Sequence, residues 1–220
     1  FHDCYIVSSL GILSRSKKGQ KILQNNITTN GKDFNIKFLN VNGKTEDYFI
    51  SSQEIHDLKF RNSDGTLQEM HCPIVKSVEL AMNKLIKNHP FKKPPIYRAM
   101  DTQQPFEYNK PSRFLELFTG QKPITLNESS LRMSLMSKLR DAGDLMLKIW
   151  DDKDSAFMLG TGVHFGKLPS WHCFDISEVD FPSNTFTVFD HRQNEELKFP
   201  MLSGLLNFKF LTGFLGKDLK

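Results

Sequence analysis

The sequence is poor in cysteine and has no long apolar run, and each shortage excludes a class of protein. Its three cysteines, Cys4, Cys72 and Cys173, are an odd and low number without a CxxC pair. This pattern argues against a disulfide framework and a structural zinc site, and we expect reduced thiols, as in the cytosol. No stretch approaches the roughly 18 consecutive apolar residues that cross a bilayer, so we expect no membrane span.

A strong charge of either sign is also missing. The chain has 29 Lys and Arg against 25 Asp and Glu, a formal net charge of +4, and its lysines are scattered. Because nucleic-acid surfaces are usually strongly and locally basic, we expect no nucleic-acid partner. What the chain does have is apolar material. In 220 residues, 39% are hydrophobic and 19 are Phe, enough for one sizeable core or two small lobes.

Apolar spacing predicts a mainly helical first part. A helix is expected directly behind Cys4, with a short continuation as far as Ile27. Residues 33–50 predict a β-hairpin that turns at Asn42-Gly43, and residues 51–72 predict a loop. The later predictions are a helix between Pro73 and Pro90, a loop at 92–111, a helix at 112–120 and a helix from the N-cap Asn127 to Gly143.

After Gly143 the spacing changes from helical to alternating. Strands are predicted at 144–150, 170–180, 184–192 and 195–199, followed by a helix and a short strand within 201–216. The predicted fold class is α+β. Residues 1–143 form a mainly helical lobe with a hairpin insertion, residues 144–220 form a mainly antiparallel β lobe, and a cleft lies between them.

Cys4 stands at the start of the first predicted helix, where a thiol is able to become reactive. The unpaired N–H groups and the positive end of the helix dipole lower a thiol pKa from about 8.5 into the range of about 3.5–7.5. The alternative is a small buried hydrophobe at the start of a core helix, which is the commoner role of a lone cysteine.

A nucleophilic cysteine needs a base, and the base needs a group that orients it. Alternation in "SWHCFDI" places His172 on one strand face and Asp175 on the other, and the next predicted strand ends at Asp190. Adjacent strands would bring Asp190 beside His172. The alternatives are a satisfied core histidine and a carboxylate that caps a turn; His164, in the Gly-rich segment 160–166, is a second candidate base.

The chain resembles the calpain-like branch of the papain-like cysteine proteases over nearly its whole length. "HDCYIVSSLGIL" is similar to the family's GDC stretch at the start of the nucleophile helix, and "PIVKSVELAMNKL" to its EKAYAKL helix. "FLELFTG" matches its TG segment, "SLMSKLRDAGDLMLKIW" its helix, glycine and strand, and "LPSWHCFDISEVD" its HAYSV strand. The order of these matches is more specific than any one of them.

The resemblance implies a papain-like two-lobed fold and a Cys-His-Asp triad. Cys4 would be the nucleophile, His172 the general base and acid, and Asp190 the orienting residue, with Trp171 as a shield from water. The implied reaction is hydrolysis of peptide or isopeptide bonds in a protein substrate. The acidic residues with which the family binds calcium are not recognisable, so we expect neither a metal nor a cofactor.

The chain also departs from the family pattern. Asp190-His191-Arg192 stands where the family has Asn-Pro-Trp-Gly, and His2 replaces the glycine of GDC. Asp in the third triad position occurs in other papain-like branches, including bacterial effector proteases. We therefore expect a bacterial effector or toxin that acts on a host protein in the host cytosol. The alternatives are acyl transfer by the same triad, as in a transglutaminase or deamidase, and an inactive papain-like fold that binds proteins.

Overall fold

The computed structural model of the protein describes residues 4–40, 42–58, 60–61, 67–68, 72–89, 111–127, 135–161, 172–191 and 193–219. The helices in these ranges are α1 Cys4–Arg15, α2 Lys17–Asn26, α3 Ser52–Asp57, α4 Pro73–Asn88, α5 Pro111–Thr119, α6 Leu135–Asp151 and α7 Met201–Asn207. The strands are β1 Ile27–Thr29, β2 Phe34–Leu39, β3 Thr45–Ile50, β4 Phe60–Arg61, β5 Leu67–Gln68, β6 Ile124–Asn127, β7 Ala156–Thr161, β8 Cys173–Asp180, β9 Thr185–Asp190, β10 Glu195–Pro200 and β11 Phe208–Phe214. The fold class is α+β, as the sequence predicts.

A six-stranded antiparallel sheet organises the second half of the chain, in the order β10-β9-β8-β7-β11-β6. β1, β2 and β3 form a smaller antiparallel sheet, and β4 pairs with β5. In the large sheet Asp175 of β8 lies opposite Phe189 of β9, and Asp190 lies opposite Glu195 of β10. This register fixes which side chains share a face of the sheet, because successive residues of a strand point to opposite faces.

Helices cover both faces of the large sheet. On one face, Ala156 and Met158 of β7 join a core shared with α1, α4, α5 and the smaller sheet. On the other face, Phe157 and Leu159 join a core shared with α6 and α7. All residues of β7 are buried, which explains why its residues from Ala156 to Leu159 are all apolar and do not alternate with polar ones.

Phenylalanines fill the first core. The ring centroid of Phe38 lies 5.9 Å from that of Phe114 and 5.4 Å from that of Phe118, and the last two rings are stacked at 5.5 Å. Tyr5 of α1 meets Phe114 edge-on at 6.0 Å. Aromatic pairs of this kind contribute about 0.5–1.5 kcal/mol each beyond the burial of their area. The cluster holds α1 and α5 against β2.

Most predicted elements are present near their expected boundaries. α1, the hairpin strands β2 and β3, α4, α5, the strands β8, β9 and β10, and the final pair α7 and β11 are all confirmed. Gly120 ends α5 with a φ of 74°, the left-handed conformation that favours glycine after a helix. The loop predicted at 92–111 lies, except for its last residue, outside the described residues.

The helix predicted from Asn127 to Gly143 is found in part. Asn127 is the last residue of β6, α6 is described from Leu135, and it continues through Gly143 as far as Asp151. The segment 144–150, predicted as a strand, is helical because its apolar residues extend a helical face that packs into the second core. A Cβ on Gly143 would meet nothing within 4 Å, so the helix tolerates this glycine. α6 thus crosses the expected 143/144 boundary.

Three smaller differences concern the first half. Ser16 separates α1 from α2 and accepts a hydrogen bond from the amide of Gly19, so the first helix does not continue to Ile27. Within the predicted loop 51–72, α3 begins with a capping box between Ser51 and Glu54. The hairpin turn is longer than two residues, because β2 ends at Leu39 and β3 begins at Thr45.

Candidate active site

Cys4 is the first residue of α1, and the first turn of this helix contains no acidic residue. The positive end of the helix dipole is therefore not offset by a carboxylate of that turn. This is the position that the sequence predicts for a reactive thiol. The side chain of Cys4 itself lies outside the described part of the structure.

Positions 4, 8, 11 and 15 of α1 form one stripe, because their spacing returns to the same helix face. The hydroxyl of Ser8 donates to the carbonyl of Cys173 at 3.0 Å. Farther along the stripe, Nε of Arg15 lies 3.7 Å from Oδ2 of Asp175. α1 and β8 therefore run in the same direction. Cys4 precedes Ser8 by about 6 Å of helix, so α1 begins toward the end of the sheet at which β8 starts.

His172 lies immediately before β8 and is anchored to the end of β7. Its amide donates to Oγ1 of Thr161 at 3.4 Å, and its carbonyl accepts from the amide of Thr161 at 3.0 Å. The half-buried ring lies 6.4 Å from the ring of Phe174, centroid to centroid. Nδ1 of His172 is buried and has no hydrogen-bond partner among the described residues.

Asp190 is the last residue of β9 and is 1% exposed. The pairing of Asp175 with Phe189 places Asp190 opposite Phe174, so Asp190 and His172 are diagonal neighbours on one face of the sheet. The register therefore places the predicted pair on one face of the sheet. It does not join them through Nδ1 of His172, which has no partner in the described part of the chain.

The three predicted residues approach the site from two directions. His172 and Asp190 share the sheet face that α6 and α7 cover, whereas α1 packs on the opposite face. α1 begins toward the end of the sheet at which β8 starts, so thiol and imidazole would have to meet around the start of this strand. His164, the alternative base, and Trp171, the proposed shield, lie outside the described residues.

A second acid–base pair, which the sequence patterns did not predict, lies on the α1 side of the sheet. A 2.8 Å hydrogen bond joins Nε2 of His191 and Oδ2 of Asp175, and the Asp175 side chain has no exposed surface. Burial raises the pKa of Asp175, and the neighbouring His191 and Arg15 offset only part of this rise. The available signal was an aspartate within a predicted buried strand, which requires a partner.

Further observations concern ligands, membranes and relatives. Among the described residues there is no group of three or more His, Cys, Asp and Glu side chains arranged to hold a metal ion. None of the helices within the described ranges combines the length and apolar character needed to cross a membrane. Models of known protein families give no match to the chain, and neither does a comparison with curated proteins.

Proposed function

We propose that the protein is a papain-like thiol hydrolase of calpain-like layout, which cleaves peptide or isopeptide bonds in a protein substrate. The observation that carries this proposal is the packing of α1 along β8. Ser8 donates to the carbonyl of Cys173 and Arg15 lies 3.7 Å from Asp175, so the helix that begins at Cys4 runs in the same direction as the strand that begins after His172. The register of β8 and β9 then adds Asp190 to the face of His172.

Each residue has one task in the proposed reaction. The thiolate of Cys4 attacks the carbonyl carbon, while His172 takes the thiol proton and then gives it to the leaving amine. The C–N bond breaks, and a thioester remains on Cys4. His172 next accepts a proton from water, which hydrolyses the thioester. The proposed task of Asp190 is to orient the imidazole of His172 from the neighbouring strand.

The substrate proposed is a protein of a host cell, and the protein itself is proposed as a bacterial effector or toxin in the host cytosol. The support for the compartment is that Cys72 and Cys173 are thiols and not halves of a disulfide. The support for the effector role is the resemblance of an Asp190 triad to bacterial effector proteases. No cofactor enters the proposed reaction.

Acylation with p-nitrophenyl acetate tests the proposal without knowledge of the natural substrate. Attack by Cys4 would form an acetyl thioester and release p-nitrophenolate, and water would then release acetate. We expect acetylation of Cys4 to be much faster than that of the exposed Cys72, and His172→Ala to remove the difference. His89→Ala, a change at another half-buried histidine, is the matched control and should leave the reaction unchanged.

The same experiment separates the proposal from its alternatives. If Cys4 reacts no faster than Cys72, the thiol hydrolase is excluded and the protein-binding module is favoured. If a primary amine added to the reaction takes the acetyl group in preference to water, the protein is an acyl transferase. Release of acetate into water, without such a preference, supports hydrolysis.

A further inference from the structure

Asp175 and His191 form an acid–base pair that the proposed reaction does not use. Register places the two residues diagonally on β8 and at the end of β9, on the face that α1 covers. Oδ1 of Asp175 is buried without a hydrogen-bond partner among the described residues. Burying a carboxylate costs free energy unless its oxygens are paired, so the groups that contact Asp175 at the helix–sheet interface indicate its role.

α1 fits closely over this pair. A Cβ built on Gly11 would overlap Oδ2 of Asp175 and lie 2.7 Å from Nε2 of His191, so the helix backbone touches the pair directly. One turn later, the guanidinium of Arg15 lies 5.2 Å from the centroid of the Phe189 ring. One turn earlier, the hydroxyl of Ser8 bonds to the strand. Three successive turns of α1 thus contact the two strands.

We propose that Asp175 and His191 are a positioning pair. The pair fixes the position of α1 on β8 and β9 and thereby sets the location of Cys4 relative to His172. For the role of Cys4, the inference rests on the proposed function. Its physical basis is the fit of the helix over the pair: Gly11 leaves no room for a Cβ against Asp175 and His191, and Arg15 lies 3.7 Å from Oδ2 of Asp175. Apolar contacts alone allow a helix to slide or rotate, whereas these polar contacts specify one arrangement. Cys4 belongs to the same stripe as Ser8, Gly11 and Arg15, so a shift of the helix moves Cys4 by the same amount.

The test compares two histidine–carboxylate pairs. Asp175→Asn and His191→Gln cut the proposed positioning pair. Glu46→Gln cuts the control pair of Glu46 and His89, which has the same 2.8 Å separation but joins β3 to the end of α4. Two quantities are measured on each folded protein: hydrogen exchange of the α1 amides, and the rate at which p-nitrophenyl acetate acylates Cys4.

We expect Asp175→Asn and His191→Gln to speed exchange of the α1 amides and to slow acylation by roughly tenfold to a hundredfold, the size that a displacement of about 1 Å produces. Glu46→Gln should change neither quantity. A purely structural role would lower stability but leave the acylation rate of the folded molecules unchanged.

Each result decides a separate claim. If Asp175→Asn and His191→Gln leave hydrogen exchange of the α1 amides unchanged, the pair does not fix the position of α1 on the sheet, whatever the reactivity of Cys4. Faster exchange with unchanged acylation overturns the link to Cys4 but leaves the hydrolase proposal intact. If Cys4 of the wild-type protein is not acylated, the proposed function fails, and hydrogen exchange alone decides whether the pair seats α1.

Discussion

Gly11→Ala probes how tightly α1 lies on the large sheet. The added methyl group would overlap Oδ2 of Asp175 and approach Nε2 of His191 to 2.7 Å. The Asp175 side chain has no exposed surface, so it has no solvent-filled space into which it could rotate. The helix itself must therefore move away from β8, and its contacts at Ser8 and Arg15 must change with it.

Gly143→Ala is the matched control, because Gly143 is also inside a helix but nothing lies within 4 Å of its added Cβ. Replacing an interior glycine by alanine stabilises a helix by about 0.8–1 kcal/mol, and this gain applies to both variants. Overpacking costs about 1–3 kcal/mol and applies only at Gly11. We expect Gly143→Ala to raise the free energy of unfolding by about 1 kcal/mol, and Gly11→Ala to lie about 1–3 kcal/mol below that variant.

Urea denaturation followed by far-ultraviolet circular dichroism measures both free energies. For the comparison to hold, the slope of the free energy of unfolding against urea concentration must be the same in the two variants. A changed slope indicates a changed unfolded or native state. If Gly11→Ala is as stable as Gly143→Ala, α1 does not sit on Asp175 at the distance described. In that case the proposed positioning role of Asp175 and His191 would also be wrong.

Three further predictions concern stability. Burial raises the pKa of Asp175 above its ordinary 3.8. The free energy of unfolding of the wild type relative to Asp175→Asn should therefore be greatest below pH 3.8 and decrease as pH rises through the folded-state pKa. Urea unfolding at a series of pH values tests this, and a relative stability that increases with pH would contradict it. Ser51→Ala removes the capping box of α3 and should cost about 0.5–2 kcal/mol in thermal unfolding, whereas Ser52→Ala, one residue farther on, should be nearly neutral. Phe38→Ala in the first core should cost about 3–5 kcal/mol, and Phe49→Ala, which is 59% exposed, less than about 0.5 kcal/mol; equal losses would contradict the assignment of Phe38 to the core.

The sequence predicts those elements whose apolar residues follow one period without interruption. α1 and α4 have a clear helical period, and β8 and β9 alternate, so all four are found where expected. α6 was misjudged because Gly143 resembles a terminator, although a glycine in open space does not end a helix whose apolar face continues to Ile149. Local signals cannot show that the second core requires this continuation.

The sequence likewise predicts some features of the candidate site and not others. Alternation alone predicts that His172 and Asp175 lie on opposite faces. That Asp190 shares the face of His172 could not be predicted, because it depends on a register shift between Ile176 and Glu178 of β8. The hydrogen bond of Asp175 with His191 could not be predicted, because it depends on the register of two strands and on where α1 docks. That docking in turn depends on a missing side chain at Gly11, which has no signature in the local sequence.

The most direct measurement of the central claim is the rate at which iodoacetamide modifies Cys4 between about pH 5 and about pH 9, with the exposed Cys72 of the same molecule as reference. The account predicts that Cys4 is modified well below pH 8, where Cys72 reacts slowly, and that His172→Ala removes this early reactivity while Cys72 is unaffected. If both cysteines follow one pH profile, and His172→Ala changes neither, the thiol and the imidazole do not act together and the proposed hydrolase is wrong.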